Sequence, residues 1–149
     1  MKICELTESK ALDILPLLEA LWPGQTEEQW KSEIEDSFKN DDATFFIAYS
    51  EDDKAIGFSQ VQLRRDYVEG TETSPVGYLE GLYVKESERN KGIARDLVQV
   101  AENWARDREC KEFASDVELA NTNSQLMHER LGFQEVNRVV CYVKPLGGN

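Results

Sequence analysis

The chain has 149 residues, a length that suits one domain with its own hydrophobic core, and we expect that domain to span residues 1–149. A formal net charge of −12 argues against nucleic acid as a partner, because phosphate binding needs a basic face; it suits either a cationic partner or solubility alone. Short apolar runs and a first segment without a secretory signal predict a cytoplasmic protein that does not span a membrane.

The N-terminal part of the sequence predicts one strand followed by two helices. Residues 2–6 form the strand. Apolar residues at helical spacing then predict a first helix that begins at an N-cap, Ser9, and is bent at Pro16. Thr26 and Gln29 form the capping-box pattern that starts a second, amphipathic helix.

The middle of the sequence predicts a hairpin, a third strand and a long helix. The β-rich residues 44–49 and 55–65 flank a polar turn, which indicates a hairpin. A loop leads into a strand at residues 78–84. Apolar residues recur at helical spacing over residues 93–105, and residues 111–117 follow as a strand.

The C-terminal part predicts a short helix beginning beside Asn121 and a last strand over residues 133–143. The resulting order, β-α-α-β-β-β-α-β-α-β, predicts an α/β or α+β domain with a sheet covered by helices. Cys4, Cys110 and Cys141 have neither disulfide nor metal-site spacing, so we expect reduced thiols in or near the core and no metal.

A small-residue loop between a strand and a helix carries the most informative signal. Gly92 and Ala94 lie where unpaired backbone N–H groups of a helix N-terminus can bind an anion, and Arg89 and Lys91 add positive charge. A tight turn explains an isolated Gly-x-Ala equally well, but the placement after a strand favours a phosphate-binding loop. The loop has neither Gly-x-Gly-x-x-Gly nor Gly-Lys-Ser/Thr, which disfavours dinucleotide and nucleoside-triphosphate chemistry.

This loop resembles the pyrophosphate loop of the GNAT acetyltransferase superfamily, Arg/Gln-x-x-Gly-x-Gly/Ala. Here it reads Arg89-x-x-Gly92-x-Ala94. Downstream, Asn121 precedes a helix that ends in Leu-Gly-Phe at residues 131–133, which is similar to a second segment of that superfamily. With the element order, the resemblance spans nearly the whole chain. It implies the GNAT fold, an α/β (α+β mixed) domain in which a central mixed, twisted sheet with a splayed parallel strand pair is flanked by about four helices.

A narrower resemblance is to the aminoglycoside 6′-N-acetyltransferases of Gram-negative bacteria. It rests on residues 67–77, 79–81 and 112–116, and on Trp22 near the end of the first helix. The resemblance implies acetyl transfer from acetyl-CoA to the 6′-amino group of an aminoglycoside, by direct attack of the amine, and so antibiotic resistance.

The resemblance also implies where acetyl-CoA binds. The strands at residues 78–84 and 111–117 should splay apart, with the pantetheine arm along the backbone of Leu82 and Val84. A backbone N–H near Leu82 would hold the thioester oxygen. The pyrophosphate should lie over Arg89, Lys91, Gly92 and Ala94, and Asn121 should contact the cofactor.

For the acceptor, the resemblance implies that Glu80 and Asp116 line the site as catalytic carboxylates, with Trp22 and Tyr67 against the sugar rings. A carboxylate must accept a proton, directly or through water, because only a neutral amine attacks. Trp22 and Tyr67 have a purely structural alternative, and Asp116 could instead cap its loop. A structural Glu80 is disfavoured, because an unpaired carboxylate in mid-strand is costly.

The general acid for the leaving thiolate stays open. Many GNAT enzymes place a tyrosine four residues before the Gly of Gly-Phe, and here that position is His128, the chain's only histidine. His128 either takes the role or is a packed helix residue. A coenzyme A thiolate is also a tolerable leaving group without an acid.

Two other functions are compatible with the sequence. One is a GNAT enzyme that acetylates a polyamine, a metabolite amine or a protein amine. The other is a catalytically silent acetyl-CoA-binding module on the same fold. We expect a homodimer, because the antibiotic-modifying enzymes that the chain resembles are commonly dimers and because the apolar residues of the last predicted strand would leave an edge to be covered.

Overall fold

The computed structural model of the protein describes residues 1–147. Its tertiary contacts divide the chain into two compact units, Met1–Asp116 and a smaller one that begins at Val117. Within the described residues, no helix combines the length and apolar composition needed to cross a membrane.

The first unit is built on one five-stranded sheet in the order β1-β2-β3-β4-β5. Neighbouring strands are antiparallel except for the last pair, β4 and β5, which is parallel. This is the mixed sheet that the sequence predicts. The strands are β1 Lys2–Glu5, β2 Ala43–Tyr49, β3 Ala55–Arg64, β4 Val76–Val84 and β5 Phe113–Ser115.

The first helical segment differs from the prediction of one bent helix. A 3-10 turn at Glu8–Ile14 runs into a short helix, α1 at Leu15–Leu21, and Thr7 rather than Ser9 precedes the turn. Pro16 lies in the first turn of α1, where its missing N–H would have no intrahelical acceptor. The proline therefore starts α1 and does not bend a longer helix.

The second helix, α2 at Glu27–Phe38, begins at the predicted capping box. Thr26 Oγ1 accepts from the Gln29 N–H at 3.1 Å, and Gln29 Oε1 accepts from the Thr26 N–H at 2.8 Å. Trp30 and Ile34, one turn apart, are buried against Phe58 of β3 and the residues around it. The helix thus covers one face of the sheet.

The opposite face is covered by α3, Ile93–Asp107. Leu97 and Ala101 are fully buried against β2, β3 and β4. Ser59 is the one buried polar residue of the core among the described residues, and its hydroxyl donates to the Leu97 carbonyl at 3.1 Å. That bond satisfies the hydroxyl in the apolar layer.

The second unit holds α4, Thr122–Arg130, and a C-terminal segment. The predicted strand over residues 133–143 is wrong: no strand is formed there. Val139, Tyr142 and Val143 are 66%, 91% and 95% exposed. An apolar, β-prone sequence becomes a strand only when another strand accepts its hydrogen bonds, and none does so within the described chain.

The cysteines are free thiols in three different environments. Cys110 is buried and Cys4 is half-buried, as expected for thiols in or near the core. Burial raises the pKa of the Cys110 thiol. Cys141 is exposed, contrary to the prediction, because it lies in the C-terminal segment that forms no strand.

Candidate active site

A bulge in β4 presents Glu80 to one face of the sheet. Gly81 pairs with Gln60 and Leu79 pairs with Val61, so Glu80 has no opposite residue on β3. A bulged residue breaks the alternation of the strand and re-aims its side chain. This local irregularity lets a carboxylate project from the middle of a strand without being driven into the core.

The Glu80 carboxylate is held by Arg64, the last residue of β3. Oε1 accepts from Arg64 Nη2 at 2.7 Å and from Nε at 3.1 Å. The Glu80 side chain is 22% exposed, so the pair compensates a charge that is only partly solvated. The sequence does not single out Arg64, because its pairing with Glu80 depends on the register of β3 against β4.

Tyr78 links this ion pair to Asp116. The Arg64 guanidinium carbon lies 3.4 Å from the centre of the Tyr78 ring, and the Tyr78 hydroxyl donates a short hydrogen bond to Asp116. Burial, followed by the bond to Asp116, raises the pKa of Tyr78. The two predicted carboxylates are therefore joined by a continuous series of contacts, which runs from Asp116 through Tyr78 and Arg64 to Glu80.

The Trp22 indole borders the side of the sheet to which Glu80 projects. It ends α1 and stacks on Trp30 with the ring centres 6.0 Å apart, and it packs against Phe58 at the same distance. A Cβ at Gly81, next to Glu80, would lie 2.4 Å from Trp22 Cη2, so only glycine fits under the indole. Trp22 thus packs against the core and also lies over the strand segment that carries Glu80.

Tyr67 lies in the loop between β3 and β4 and is 75% exposed. Its hydroxyl accepts from the Gly70 N–H at 3.4 Å. The same loop is tied down by Glu112, whose Oε1 accepts from the N–H groups of Glu72 at 2.9 Å and Thr73 at 2.8 Å and from the Thr73 hydroxyl. These bonds, the Thr73 hydroxyl first, lower the pKa of Glu112.

The two parallel strands separate as predicted. β5 is shorter than expected and pairs only with residues 77–79 of β4, so within the described chain residues 80–84 have no strand partner on that edge. Leu82 lies in this segment. The Val84 carbonyl accepts a hydrogen bond from Arg89 Nε at 2.9 Å. One of the hydrogen bonds that this carbonyl can accept is therefore made within the protein.

The loop that ends at α3 has the geometry of an anion site. Gly92, at φ 83°, is the left-handed residue before the helix, a conformation that disfavours any side chain. The first intrahelical bond runs from the Asp96 N–H to the Gly92 carbonyl, which leaves earlier first-turn amides, including that of Ala94, without an acceptor in the helix. A pyrophosphate fits such a terminus. Lys91 pairs with Glu88 at 2.9 Å.

In the second unit, Asn121 and His128 both have local contacts. Asn121 Oδ1 accepts from the Ser124 N–H at 3.1 Å and so caps α4. His128 Nδ1 lies 2.7 Å from the Ser124 carbonyl, one turn earlier, and its ring lies 5.0 Å from that of Phe133. These contacts pack the histidine within its own unit, and its role in proton transfer stays a prediction.

The mixed sheet with its one parallel strand pair, and the loop before α3, are features that this chain shares with a known family. The model of the acetyltransferase (GNAT) family matches residues 11–133. The protein belongs to this family of acetyltransferases.

Two curated relatives narrow the similarity. The aminoglycoside N(6′)-acetyltransferase type 1 of Serratia marcescens is 42% identical over 133 residues, which cover 89% of this chain and 91% of the relative. The enzyme of the same name from Acinetobacter genomosp. 13 is 42% identical over 147 residues, or 99% of this chain and 100% of the relative.

Solved structures agree. The fold matches aminoglycoside acetyltransferase AAC(6′)-Iy in complex with the bisubstrate analogue CoA-S-monomethyl-acetylneamine, with a TM-score of 0.92, 35% identity and 97% of each chain covered. It also matches the 6′-N-acetyltransferase AAC(6′)-IG from Acinetobacter haemolyticus, with a TM-score of 0.91, 40% identity, and 99% of this chain and 100% of that chain covered.

Proposed function

We infer that this protein transfers the acetyl group of acetyl-CoA to the 6′-amino group of aminoglycoside antibiotics and so confers resistance to them. Identity of about 42% over nearly the full length of 6′-N-acetyltransferases carries the inference. The acidic, partly exposed chain from Glu80 to Asp116 supports it, since it offers carboxylates to a cationic acceptor beside the open edge of β4.

The reaction forms a bond between the amine nitrogen and the acetyl carbon and breaks the bond from that carbon to sulfur. Acetyl-CoA supplies the acetyl group as a thioester, and coenzyme A leaves as the thiolate. We assign Glu80 and Asp116 to the acceptor site, where a carboxylate takes the proton of the attacking amine, directly or through water. Trp22 and Tyr67 contact the sugar rings.

On the donor side, we assign the pyrophosphate to the loop formed by Arg89, Lys91, Gly92 and Ala94. The left-handed Gly92 and the open amides of the first turn support this assignment. The backbone of Leu82 and Val84 binds the pantetheine arm along the strandless edge of β4. A role for Asn121 at the cofactor and for His128 as general acid stay predictions.

The test is coenzyme A release from acetyl-CoA with tobramycin, spermidine and a lysine-containing peptide as parallel acceptors. Turnover with tobramycin alone supports the antibiotic acetyltransferase. Turnover only with spermidine or the peptide would replace the substrate and keep the donor. Acetyl-CoA binding without turnover of any acceptor would point to the silent module.

We propose a homodimer. The support is the C-terminal segment, where Val139, Val140, Tyr142 and Val143 are all at least 66% exposed and no strand pairs with them in the described chain. An exposed apolar segment of this kind is stable in water when a second copy covers it. Sedimentation at micromolar concentration should give a dimer, and a monomer alone would reject the proposal.

The family match at residues 11–133 includes parts of both compact units. We therefore propose that they act as one acetyltransferase domain.

We place the enzyme in the cytoplasm, where acetyl-CoA is available. Fractionation of cells that express the protein tests the location.

A further inference from the structure

Tyr78 is a buried tyrosine whose ring and hydroxyl both contact residues of the candidate site. Its side chain is 6% exposed and packs with Val68 and Val76 in one apolar cluster. The Arg64 guanidinium lies over its ring, and its hydroxyl donates to Asp116. A ring packed in this way has few conformations, so the position of the hydroxyl is fixed by the core.

The side chain of Asp116 has little else to hold it. Asp116 is the first residue after β5, and it is exposed. It comes two residues after Ala114, which pairs with Tyr78 across the parallel ladder. Within the described chain, the bond from the Tyr78 hydroxyl is the one hydrogen bond that the Asp116 carboxylate accepts. Without this bond, the aspartate side chain would be free to change rotamer.

Each of the two candidate carboxylates keeps one oxygen for a ligand. Arg64 donates both of its bonds to Glu80 Oε1, and Tyr78 donates to Asp116 Oδ2. In the part of the chain that the structure describes, Glu80 Oε2 and Asp116 Oδ1 accept no hydrogen bond. A carboxylate that takes a proton from an amine, or from a bridging water, must place an oxygen about 2.6–3.2 Å from the donor atom. The direction of the free oxygen therefore matters as well as the charge.

We propose that Tyr78 is a positioning residue for acetyl transfer, whose hydroxyl holds Asp116 so that Oδ1 faces the acceptor amine or the water that relays its proton. The inference rests on the proposed function and adds a residue that family resemblance did not indicate. Asp116 Oδ1 takes the proton of the amine, and Tyr78 keeps its own. The hydroxyl stays a donor, because burial and then the bond to Asp116 raise the pKa of Tyr78.

The test is Tyr78→Phe, which removes the hydroxyl and keeps the ring under Arg64. Tyr49→Phe is the matched control. Tyr49 is 3% exposed, its hydroxyl donates to Asp13 at 2.7 Å, and Lys10 Nζ lies 4.7 Å from its ring centre. Each substitution breaks one bond from a buried tyrosine to an aspartate and leaves a cation over the ring. Only the bond of Tyr78 lies in the candidate site.

Tyr78→Phe should lower kcat for tobramycin by about tenfold and change KM by less than about threefold. The reason is that a misdirected carboxylate still attracts a cation but loses the geometry for proton transfer. Tyr49→Phe should keep the kcat of the wild type, and thermal melting should show similar destabilisation of both variants. An unchanged kcat in Tyr78→Phe, an equal loss of kcat in both variants, or a rise in KM without a loss of kcat would overturn the proposal.

A double-mutant cycle shows whether Tyr78 acts through Asp116. In the Asp116→Ala background the hydroxyl has no carboxylate to hold. The kcat of Tyr78→Phe/Asp116→Ala should therefore lie within about twofold of that of Asp116→Ala alone. A further tenfold loss in the double variant would show that Tyr78 acts by another route, and would overturn the proposal.

Failure of this inference and failure of the proposed function give different results. If the wild type acetylates none of tobramycin, spermidine and the lysine-containing peptide, the proposed function fails and the role of Tyr78 fails with it. If it acetylates only spermidine or the peptide, the substrate is replaced, and the same variants decide the role of Tyr78 with that acceptor. Turnover of tobramycin at equal kcat by the wild type and Tyr78→Phe overturns the positioning role alone.

Discussion

At the scale of single residues, Arg64 holds the candidate carboxylates in place. Its guanidinium donates to Glu80 through two nitrogens and lies over the ring of Tyr78, whose hydroxyl donates to Asp116. Glu80 and Asp116 are thus not two independent groups, because a change at either end alters the contacts of the residues between them. An acceptor ammonium group that approaches Glu80 must share it with Arg64.

Arg64→Gln should lower kcat/KM for tobramycin by about tenfold, since Glu80 loses its geometry and its charge partner. Arg64→Lys should retain part of the activity, because lysine keeps the positive charge. It should not restore all of it, because lysine cannot donate to Glu80 through two nitrogens or place a guanidinium over the Tyr78 ring. The measurement is steady-state kinetics with thermal melting of each variant. Arg65→Gln, which breaks the exposed pair with Asp42, is the control. Equal losses for Arg64→Gln and Arg65→Gln would contradict a specific role.

The Glu112 carboxylate holds the loop before β4 through three hydrogen bonds. Its pKa is lowered by bonds from the Thr73 hydroxyl and from the Glu72 and Thr73 N–H groups, and the unfolded chain lacks these bonds. A lowered pKa in the folded state stabilises the protein above the unfolded pKa of about 4.3. That contribution is lost as the pH falls through the folded pKa.

Glu112→Gln should therefore reduce the loss of unfolding free energy between neutral pH and about pH 3, a range that spans the carboxylate titration. Urea unfolding at a series of pH values measures it. Glu51→Gln, in the exposed turn between β2 and β3, is the matched control. The same pH dependence in wild type and Glu112→Gln would show that the loop bonds do not persist in solution.

At the scale of elements, the meeting of α1 and β4 depends on one glycine. The bulge places Glu80 outward and Gly81 directly beneath the Trp22 indole. The end of α1 can lie against β4 only because no side chain stands there. The position of Trp22 beside Glu80 is thus a consequence of strand register.

Gly81→Ala should destabilise the protein by about 1–3 kcal/mol, because the new methyl group forces Trp22 to move. It should also raise KM for tobramycin. Gly77→Ala is a useful comparison, since its Cβ would meet Ala105 and Phe113, at 2.7 and 2.8 Å, and not Trp22. Chemical denaturation and kinetics of both variants are the measurements. A KM increase of equal size in Gly77→Ala would assign the effect to general destabilisation.

At the scale of the whole molecule, the net charge of −12 acts on a polycationic acceptor before contact. We expect kcat/KM for tobramycin to fall as sodium chloride is raised from about 0.01 to about 0.5 M, because the screening length shortens from about 30 Å to a few ångströms. For methyl 6-amino-6-deoxyglucoside, a one-ring amine with a single positive charge, kcat/KM should depend less on the salt concentration. Equal salt dependence for both amines would show that long-range attraction contributes little.

Local signals in the sequence predicted some local features correctly, whereas the predicted Ser9 cap and the bend at Pro16 were wrong. The capping box at Thr26 and Gln29 depends on a few consecutive residues, so its pattern can be recognised without a fold. The parallel pairing of β4 and β5 agrees with what the family resemblance implied. Glu80 and Asp116 came from family resemblance, and the chain of contacts that joins them was not foreseen.

Features that need a partner distant in the sequence were decided by tertiary structure. Arg64 is 16 residues from Glu80, and only the register of β3 against β4, with its bulge, brings the two together. Glu112 is 39 residues from the threonine hydroxyl it binds. The strand predicted at residues 133–143 is absent because β-rich sequence supplies half of a ladder, and a strand exists only where the other half is present. By itself the sequence thus determined the family and the capping box of α2, because both depend on patterns that can be recognised along the chain, whereas strand register decided which side chains meet at the candidate site.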